Sequence, residues 1–358
     1  MKNFWLLITI VVSGWFCGDI QAASLNKANV FTNMRTGQKT IAFGYDSGVL
    51  EFRDWTGKLL ATRSGLGNIT AIETYRSKTA VTPRMFIGSS DGTVRIINPT
   101  TIGTDLIKRT FVGTITFVWG WDKYLWVGVN DGIKGTLYLL DNATLLPVKS
   151  MTGVGPIKFI DDVEWISGGV WGEGVVVAGS DGGLRIVQII NNSNGTINSL
   201  RVKSSRSNLG QIKGLATEDI DGDGNSEIAI SSTSYNGSFV MMRASNITVA
   251  VLSRTGLGVP GILDMSPEVD IAGVKMLAIA LTNGSVRTFK ITVGNGLFTC
   301  TTGAQRIGFG SVVALGLDDF YGTGCDQIII CSTDSAKAAF HITGANVSPD
   351  LTYFKIAQ

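Results

Sequence analysis

The chain has 358 residues, of which 44% are hydrophobic and only 16% are charged, so it has enough apolar surface for a folded core and is not intrinsically disordered. Its 45 glycines and 7 prolines predict many tight turns, because glycine adopts positive φ angles at little steric cost. A formal net charge of +2 and a single histidine, His341, argue against nucleic-acid binding, zinc catalysis and Ser-His-Asp catalysis.

Residues 1–23 are predicted to be a signal peptide. Lys2 precedes a continuous apolar stretch over Phe4–Val12, and small residues at Ala22–Ala23 provide a cleavage site. The apolar stretch is shorter than the ~20 residues that span a bilayer, and an uncleaved anchor is the alternative interpretation. These features predict a secreted or cell-surface protein, or a periplasmic one in a bacterium, with no membrane span after cleavage.

One pattern recurs seven times in the rest of the chain. Each copy contains an apolar triplet, a small residue, a turn with Asn, Asp or Gly, and then a strand of alternating character. The small residues, at spacings of 40 to 52 positions, are Gly44, Gly88, Gly128, Gly179, Ser231, Ala280 and Cys331. Asp-Gly and Asn-Gly favour type I′ turns, so the pattern predicts a β-hairpin in each copy.

Further apolar runs flank each hairpin, for example Ile212–Ala216 before one of them and Ile247–Val251 after it. Four antiparallel strands per copy, repeated every ~40–50 residues, are typical of a propeller blade. We therefore predict that residues 24–358 form a single all-β domain, a seven-bladed β-propeller of four-stranded antiparallel blades. A parallel β-helix is the alternative, but its coils have much shorter periods. The first and last blades are each predicted to contain their own four strands.

The loop between the first two predicted strands of the fifth blade has the spacing of a calcium-binding loop. Its carboxylates are those of Asp219, Asp221, Asp223 and Glu227, and Asn225 can add its backbone carbonyl. Ca²⁺ takes six to eight hard oxygen ligands, which such a loop can supply. Without a bound cation, four neighbouring carboxylates would repel one another, which favours calcium over a turn that binds nothing. The predicted role of the ion is structural, since no acid–base partner accompanies the loop.

The sequence around this loop, 215–230, resembles an FG-GAP (VCBS-type) repeat, the unit of integrin α-subunit propellers and of many secreted proteins. The resemblance implies calcium ligation by the five loop residues named above. The segment 315–330 repeats the frame with Asp319, but it has Tyr321 and Thr323 where ligands would stand, so no metal is predicted there. Hairpins of the second and fourth blades resemble WD-repeat and quinoprotein-like propellers instead.

Eight Asn-X-Ser/Thr sequons fall in predicted turns and suit a secreted glycoprotein. They are Asn68, Asn142, Asn191, Asn194, Asn236, Asn246, Asn283 and Asn346. The alternative is that Asn-Gly-Ser/Thr is simply favourable turn chemistry, and in a bacterial protein the sequons would carry no meaning.

The predicted function is that of a non-catalytic binding or adhesion module for an extracellular protein or glycan, with no nucleic-acid partner. Propellers present loops from several blades on one rigid face, although this step is an analogy at the level of the fold. A lectin is the first alternative, because Trp119, Trp121 and Trp171 lie near predicted loops and could stack on sugar rings.

An extracytoplasmic lyase or hydrolase is the second alternative. Asp161, Asp162 and Glu164 form the only dense group of acids outside the calcium loop. Their convergence on a pocket around the central channel, with a raised pKa, would favour this alternative, whereas scattered and solvated acids would not.

Overall fold

The structure, a computed structural model, describes residues 25–32, 39–54, 58–75, 84–100, 102–121, 123–167, 169–234, 237–266, 275–309, 312–318, 327–332, 336–343, 346–347 and 352–355. The predicted signal peptide, the sequon at Asn236 and the loop 319–326 lie outside the described residues. No helix long and apolar enough to cross a membrane is found within these ranges.

All regular elements of the described chain are β-strands. The first two groups of four are β1 (Leu25–Thr32), β2 (Lys39–Tyr45), β3 (Leu50–Asp54), β4 (Leu59–Arg63), β5 (Ile69–Tyr75), β6 (Arg84–Ser89), β7 (Thr93–Ile97) and β8 (Asp105–Thr110). The next two are β9 (Thr114–Trp121), β10 (Tyr124–Asp131), β11 (Lys134–Asp141), β12 (Pro147–Thr152), β13 (Ile157–Ser167), β14 (Val170–Gly179), β15 (Leu184–Asn191) and β16 (Ile197–Arg206).

The remaining strands follow the same order along the chain. They are β17 (Ile212–Glu218), β18 (Glu227–Ser232), β19 (Ser238–Arg243), β20 (Asn246–Thr255), β21 (Pro260–Ser266), β22 (Lys275–Leu281), β23 (Val286–Gly294), β24 (Leu297–Arg306), β25 (Val312–Asp318), β26 (Gln327–Ser332), β27 (Ala336–Thr343), β28 (Asn346–Val347) and β29 (Thr352–Lys355).

Consecutive strands pair into antiparallel sheets, which confirms the prediction of an all-β fold built from four-stranded units. Within the described ranges, β1–β24 form six sheets of four strands, each in sequential order. Strands β25–β28 form a further sheet, in which β29 pairs with β27. No described strand from one end of the chain joins the sheet at the other end, so the first and last sheets are each built from their own segment.

The sheets are arranged around a common axis. The first strand of each sheet contacts the first strand of the next, along the series β1, β5, β9, β13, β17, β21 and β25, and β25 in turn contacts β1. These innermost strands pair on one side only, so their free edges face one another across a central channel. We name the face of the ring at which β17 ends and β18 begins the entry face.

Apolar side chains fill the spaces between neighbouring sheets, and the second strands are largely buried where their burial is described. Every residue of β18 is buried, for example. The small residues of the repeated pattern lie where two sheets come closest. A Cβ atom added to Gly88 would lie 2.5 Å from Ile115 Cγ2, and one on Gly44 would lie 2.5 Å from Ile69 Cγ2. Larger residues at these positions would hold the sheets apart.

The innermost strands share a local irregularity near the start of each strand. The pairing register skips a residue there, which is the signature of a β-bulge. The skipped residues are Asn26, Thr70, Thr116, Lys158, Lys213 and Val313, together with 261–262 in β21. A bulge turns the extra residue away from the ladder, and on these strands it places that residue beside the channel.

We predict that Gly88→Ala destabilises the protein, because its new methyl group overlaps Ile115. Overpacking of this kind costs about 1–3 kcal/mol, measurable by urea denaturation. Gly294→Ala is the matched control, since a Cβ atom there meets no atom within 4 Å. Equal unfolding midpoints for the two variants would contradict the close approach of the sheets.

Candidate functional site

The predicted calcium loop connects β17 and β18 on the entry face, and Asp219 organises it. The Asp219 carboxylate accepts hydrogen bonds from the backbone N–H groups of Gly222 (2.9 Å), Asp223 (3.1 Å) and Gly224 (2.9 Å). Gly222 and Gly224 have φ angles of 75° and 82°, which favour glycine. The local sequence therefore wraps the backbone around one carboxylate.

Three of the predicted ligands converge. Carboxylate oxygens of Asp219, Asp221 and Glu227 lie within 4.8 Å of one another. Glu227 is fully buried; its Oε2 accepts a hydrogen bond from Ile220 N at 3.0 Å, whereas its Oε1 accepts none from the described residues. Burial, followed by repulsion from Asp221, raises the pKa of Glu227 to about 8. A buried oxygen without a donor suits a hard cation.

Arg243, on β19, enters the same cluster and was missed by the sequence analysis. Its Nη2 lies 2.5 Å from Asp221 Oδ2 and 3.8 Å from Asp223 Oδ2, and its Nε lies 3.4 Å from Glu227 Oε1. Glu227 and Arg243 are direct cross-strand partners, so the hairpin register is the signal that could have found it. The loop acids therefore have a compensating positive charge, contrary to the prediction that only a bound cation would relieve their repulsion.

The side chains of Asp223 and Asn225 do not join the cluster of Asp219, Asp221 and Glu227. They make hydrogen bonds within the loop and to the neighbouring sheet. Asp223 Oδ1 accepts hydrogen bonds from Asn225 N (2.8 Å) and Nδ2 (3.0 Å). Asn225 Oδ1 accepts one from Ile166 N (2.9 Å) on β13, in the neighbouring sheet. Ser226 adds two more bonds to that sheet, with Glu164 N donating to its Oγ at 3.0 Å and its own N donating to Glu164 O at 2.9 Å. The loop is thus tied to the adjacent blade.

An apolar surface lies beside the loop, at the turn between β13 and β14. Ile166, Val170 and Trp171 are 39%, 69% and 53% exposed. Gly224 brings the acidic loop against this turn, since a Cβ atom on it would lie 2.9 Å from Ile166 Cδ1 and 3.6 Å from Trp171 Cζ3. We name Ile166, Val170 and Trp171 the apolar tip.

The tryptophans proposed for glycan stacking differ in exposure. Trp171 belongs to the apolar tip and is more than half exposed. Trp119 is half-buried and packs against a core cluster that contains Trp126. The Trp121 side chain lies outside the described part of the structure. Trp171 is therefore the ring that a ligand could reach.

The asparagines of the sequons also differ in exposure. The exposed ones are Asn68, Asn191, Asn194, Asn246 and Asn283. In three of them the Asn Oδ1 accepts hydrogen bonds from the backbone N–H and the hydroxyl group two residues later, as Asn194 does from Thr196 at 3.0 and 2.6 Å. The same bonds form at Asn246 and Asn283. Such bonds are the turn chemistry given above as the alternative to glycosylation.

Asn142 departs from the expectation of an exposed turn residue. Its side chain is only 5% exposed, and its Oδ1 accepts a hydrogen bond from Arg84 Nη1 at 2.9 Å. A glycan on Asn142 Nδ2 would require this side chain to leave its pocket. The Asn346 side chain, like Asn236, is outside the described residues.

A second acidic group belongs to the innermost strands, which line the channel. Glu73 on β5, Asp161 and Asp162 on β13, and Asp264 on β21 belong to strands that are not neighbours in the ring, yet the charge of Asp162 acts on Glu73 and that of Asp264 acts on Asp161. Burial raises the pKa of Glu73 to about 8 and raises the pKa values of both aspartates. Asp161 Oδ2 also accepts a hydrogen bond from Thr217 N at 3.0 Å.

The three acids of the enzyme alternative do not act as one group. Asp161 and Asp162 are half-buried neighbours on the innermost strand β13, whereas the Glu164 side chain is exposed near the acidic loop. Burial, followed by the charges of Asp162 and Asp219, raises the pKa of Glu164. The carboxyls that complete the channel group, Glu73 and Asp264, come from other blades. Sequence proximity could not reveal them.

Antiparallel four-stranded sheets around a central channel define this protein as a β-propeller. No family model matches the sequence, and no curated protein matches it. Among solved structures it is similar to BBS1N in complex with ARL6DN, in a mercury-soaked and a lead-soaked crystal. Both have a TM-score of 0.66 and 16% identity, over 90% and 91% of this chain and 94% of theirs. The computationally designed Ika8 protein is also similar, with a TM-score of 0.61 and 14% identity over 93% of this chain and 88% of that one. These similarities support the fold alone.

We predict that Glu73→Gln makes the protein more stable at high pH. The pKa of Glu73 lies above its ordinary value of 4.5, so the folded state binds the proton more tightly and loses stability as the pH rises from about 4.5 to about 8. One such group contributes a slope of at most about 1.4 kcal/mol per pH unit. Urea denaturation between pH 5 and 9 should show a flatter profile for the variant.

Asp131, exposed at the end of β10, provides the control for this experiment as Asp131→Asn. Profiles of wild type and Glu73→Gln that run parallel over the whole pH range would contradict a raised pKa in the channel.

Proposed function

We propose that this protein is a secreted or cell-surface propeller of seven blades that acts as a non-catalytic binding module. Seven copies of the hairpin pattern and the ring of contacts from β1 to β25 support the blade number. The observation that carries the binding function is the apolar tip, a set of large exposed side chains held on a rigid rim. Exposed apolar groups beside polar loops are typical of interaction sites.

The partner proposed for the apolar tip is an extracellular protein with a basic surface around an apolar contact. Trp171 supplies a large aromatic anchor of the kind that dominates protein interfaces. The neighbouring carboxylates, Glu164 and Asp223, are exposed and would attract positively charged groups. Hydrogen bonds from Ile166 and Glu164 to the acidic loop hold the tip in place before binding, which lowers the entropic cost of association.

A glycan is the second candidate ligand, because an exposed indole ring beside carboxylates can stack on a sugar and accept bonds from its hydroxyl groups. Trp171 and Asp223 would serve these roles. The channel acids are assigned no catalytic step in this proposal, since Glu164, the third member of the predicted acid group, lies at the surface instead.

We also propose that Asp219, Asp221 and Glu227 hold Ca²⁺, with a structural role. The fit rests on the close carboxylate oxygens and on the buried Glu227 Oε1 that lacks a donor. Bound calcium would supply positive charge to the loop and stiffen it against the apolar tip. Arg243 contacts the same oxygens, so the ion and the guanidinium group compete for them.

Calcium should therefore raise the melting temperature of the wild-type protein and leave that of Asp221→Asn unchanged. Arg243→Met should bind calcium more tightly than wild type, because it removes a competing positive charge. Differential scanning calorimetry and calorimetric titration with CaCl₂ measure both effects, with MgCl₂ as the ionic-strength control. If Arg243 alone neutralises the loop, calcium will not shift the melting temperature of any variant and Arg243→Met will only destabilise the protein.

Trp171→Ala should reduce binding to intact cells at least tenfold, since removal of an interface anchor costs about 2 kcal/mol or more. Flow cytometry with fluorescently labelled protein measures the binding, and Leu297→Ala, which removes a side chain that is 71% exposed on another blade, is the control. Binding lost after protease treatment of the cells supports a protein partner, and binding lost after glycosidase treatment alone supports the glycan. Unchanged binding by Trp171→Ala would contradict the proposed site.

A further inference from the structure

Two lysines occupy bulge positions on adjacent innermost strands. In β13, Ile157 pairs with Gly179 and Phe159 with Ala178, so Lys158 is skipped by the ladder. Lys213 is skipped in the same way in β17. A bulge takes the extra residue out of the regular pairing, and both bulges lie on innermost strands at the wall of the channel.

The Lys158 ammonium group lies on the channel wall. Its Nζ donates a hydrogen bond to Ile212 O at 2.9 Å, at the free edge of the next innermost strand. Lys213 is the neighbouring residue on that strand. Lys27, from β1, also acts on Lys158 through its charge, and β1 lies across the channel from β13. Each of the three lysines is the second or third residue of an innermost strand, and the charges of Lys213 and Lys27 both act on Lys158.

This cluster has no described counter-charge. In the described part of the chain the ion pairs join arginines to carboxylates, and none includes Lys27, Lys158 or Lys213. The nearest channel carboxyl along β13 is that of Asp161, three residues further and so about 10 Å along the strand. Burial, then repulsion from the other two lysines, lowers the pKa of Lys158 to about 8.

The fold does not require lysine at these positions. The equivalent bulge residue in the second blade is Thr70, whose Oγ1 donates to Ile115 O at 2.5 Å and so makes the same contact with the next strand. A neutral hydroxyl group can therefore serve as the hydrogen-bond donor to the backbone carbonyl at this position, as the ammonium group of Lys158 does for Ile212 O. Lys158 therefore adds a positive charge that this backbone contact does not require.

We propose that the lysine level of the channel binds a compact oxyanion with two negative charges, of the phosphate or sulfate kind, through Lys27, Lys158 and Lys213. An anion between the three ammonium groups would replace their repulsion with attraction. It would also accept charge-assisted hydrogen bonds from their N–H groups. This site is separate from the acidic loop and from the apolar tip, so it goes beyond the binding function proposed above.

The test compares sodium sulfate and sodium phosphate with sodium chloride at constant ionic strength. At pH 6.5 both oxyanions should raise the melting temperature of the wild-type protein by several degrees, and isothermal titration calorimetry should give a dissociation constant at least tenfold lower than that of Lys158→Met or Lys213→Met. Lys134→Met, at the exposed start of β11, is the matched control and should behave as wild type.

The affinity for sulfate should decrease as the pH rises through about 8, because Lys158 then loses its proton. Sulfate is the probe for this profile since it does not titrate between pH 6 and 9. The groups that face Lys158 are Lys27 and Lys213, while the carboxyls of Asp161, Asp162, Glu73 and Asp264 lie further along the channel.

Lys158→Met should fold, and without oxyanion its melting temperature should equal or exceed that of wild type, because it removes a repelling charge. If circular dichroism shows that it does not fold, Lys213→Gln replaces it in the titration. Equal effects of sulfate and chloride on the wild-type protein, or equal sulfate affinities of wild type and a folded lysine variant, would overturn the proposal.

Discussion

The close approach of neighbouring blades at the channel is the constraint on which the rest of the structure depends. The ring of sheets closes only if the second strands pack against the innermost strands of the next sheet. At these contacts Ile69 fills the space beside Gly44, and Ile115 fills the space beside Gly88. This contact fixes how far each innermost strand lies from the axis. It also leaves the free edge of that strand beside the channel, where its polar backbone groups need partners.

The side chains that satisfy this edge determine the chemistry of the channel. Thr70, Lys158 and Asp161 each bond to the backbone of the next blade, so the second and fourth blades each cover the edge of the blade that follows. Where the covering residue is neutral, the contact is purely structural. Where it is charged, the charge is confined near the axis with others like it, and burial shifts its pKa. The functional character of the channel thus follows from residues placed there by a packing requirement.

The sequence predicted the parts of this structure that depend on local pattern. Turn residues and apolar alternation identified the hairpins, and the spacing of Asp219, Asp221 and Glu227 identified the acidic loop. It could not predict contacts set by register or by ring closure. Arg243 reaches Glu227 only because the hairpin aligns them, and Glu73 meets Asp162 only because the ring brings distant blades together. Asn142 shows the same limit, since its burial depends on Arg84 in another sheet.

The bulges of the innermost strands have an electrical consequence. Because they fix the depth of the side chains that follow them, Lys158 and Asp161 stand at different heights on one strand, and other blades place charges of matching sign beside each. The channel therefore has a positive level and a carboxyl level in series, and its axis carries a dipole whose strength grows as the carboxyls ionise. A charged solute entering from one face would meet a potential opposite in sign to the one it would meet from the other.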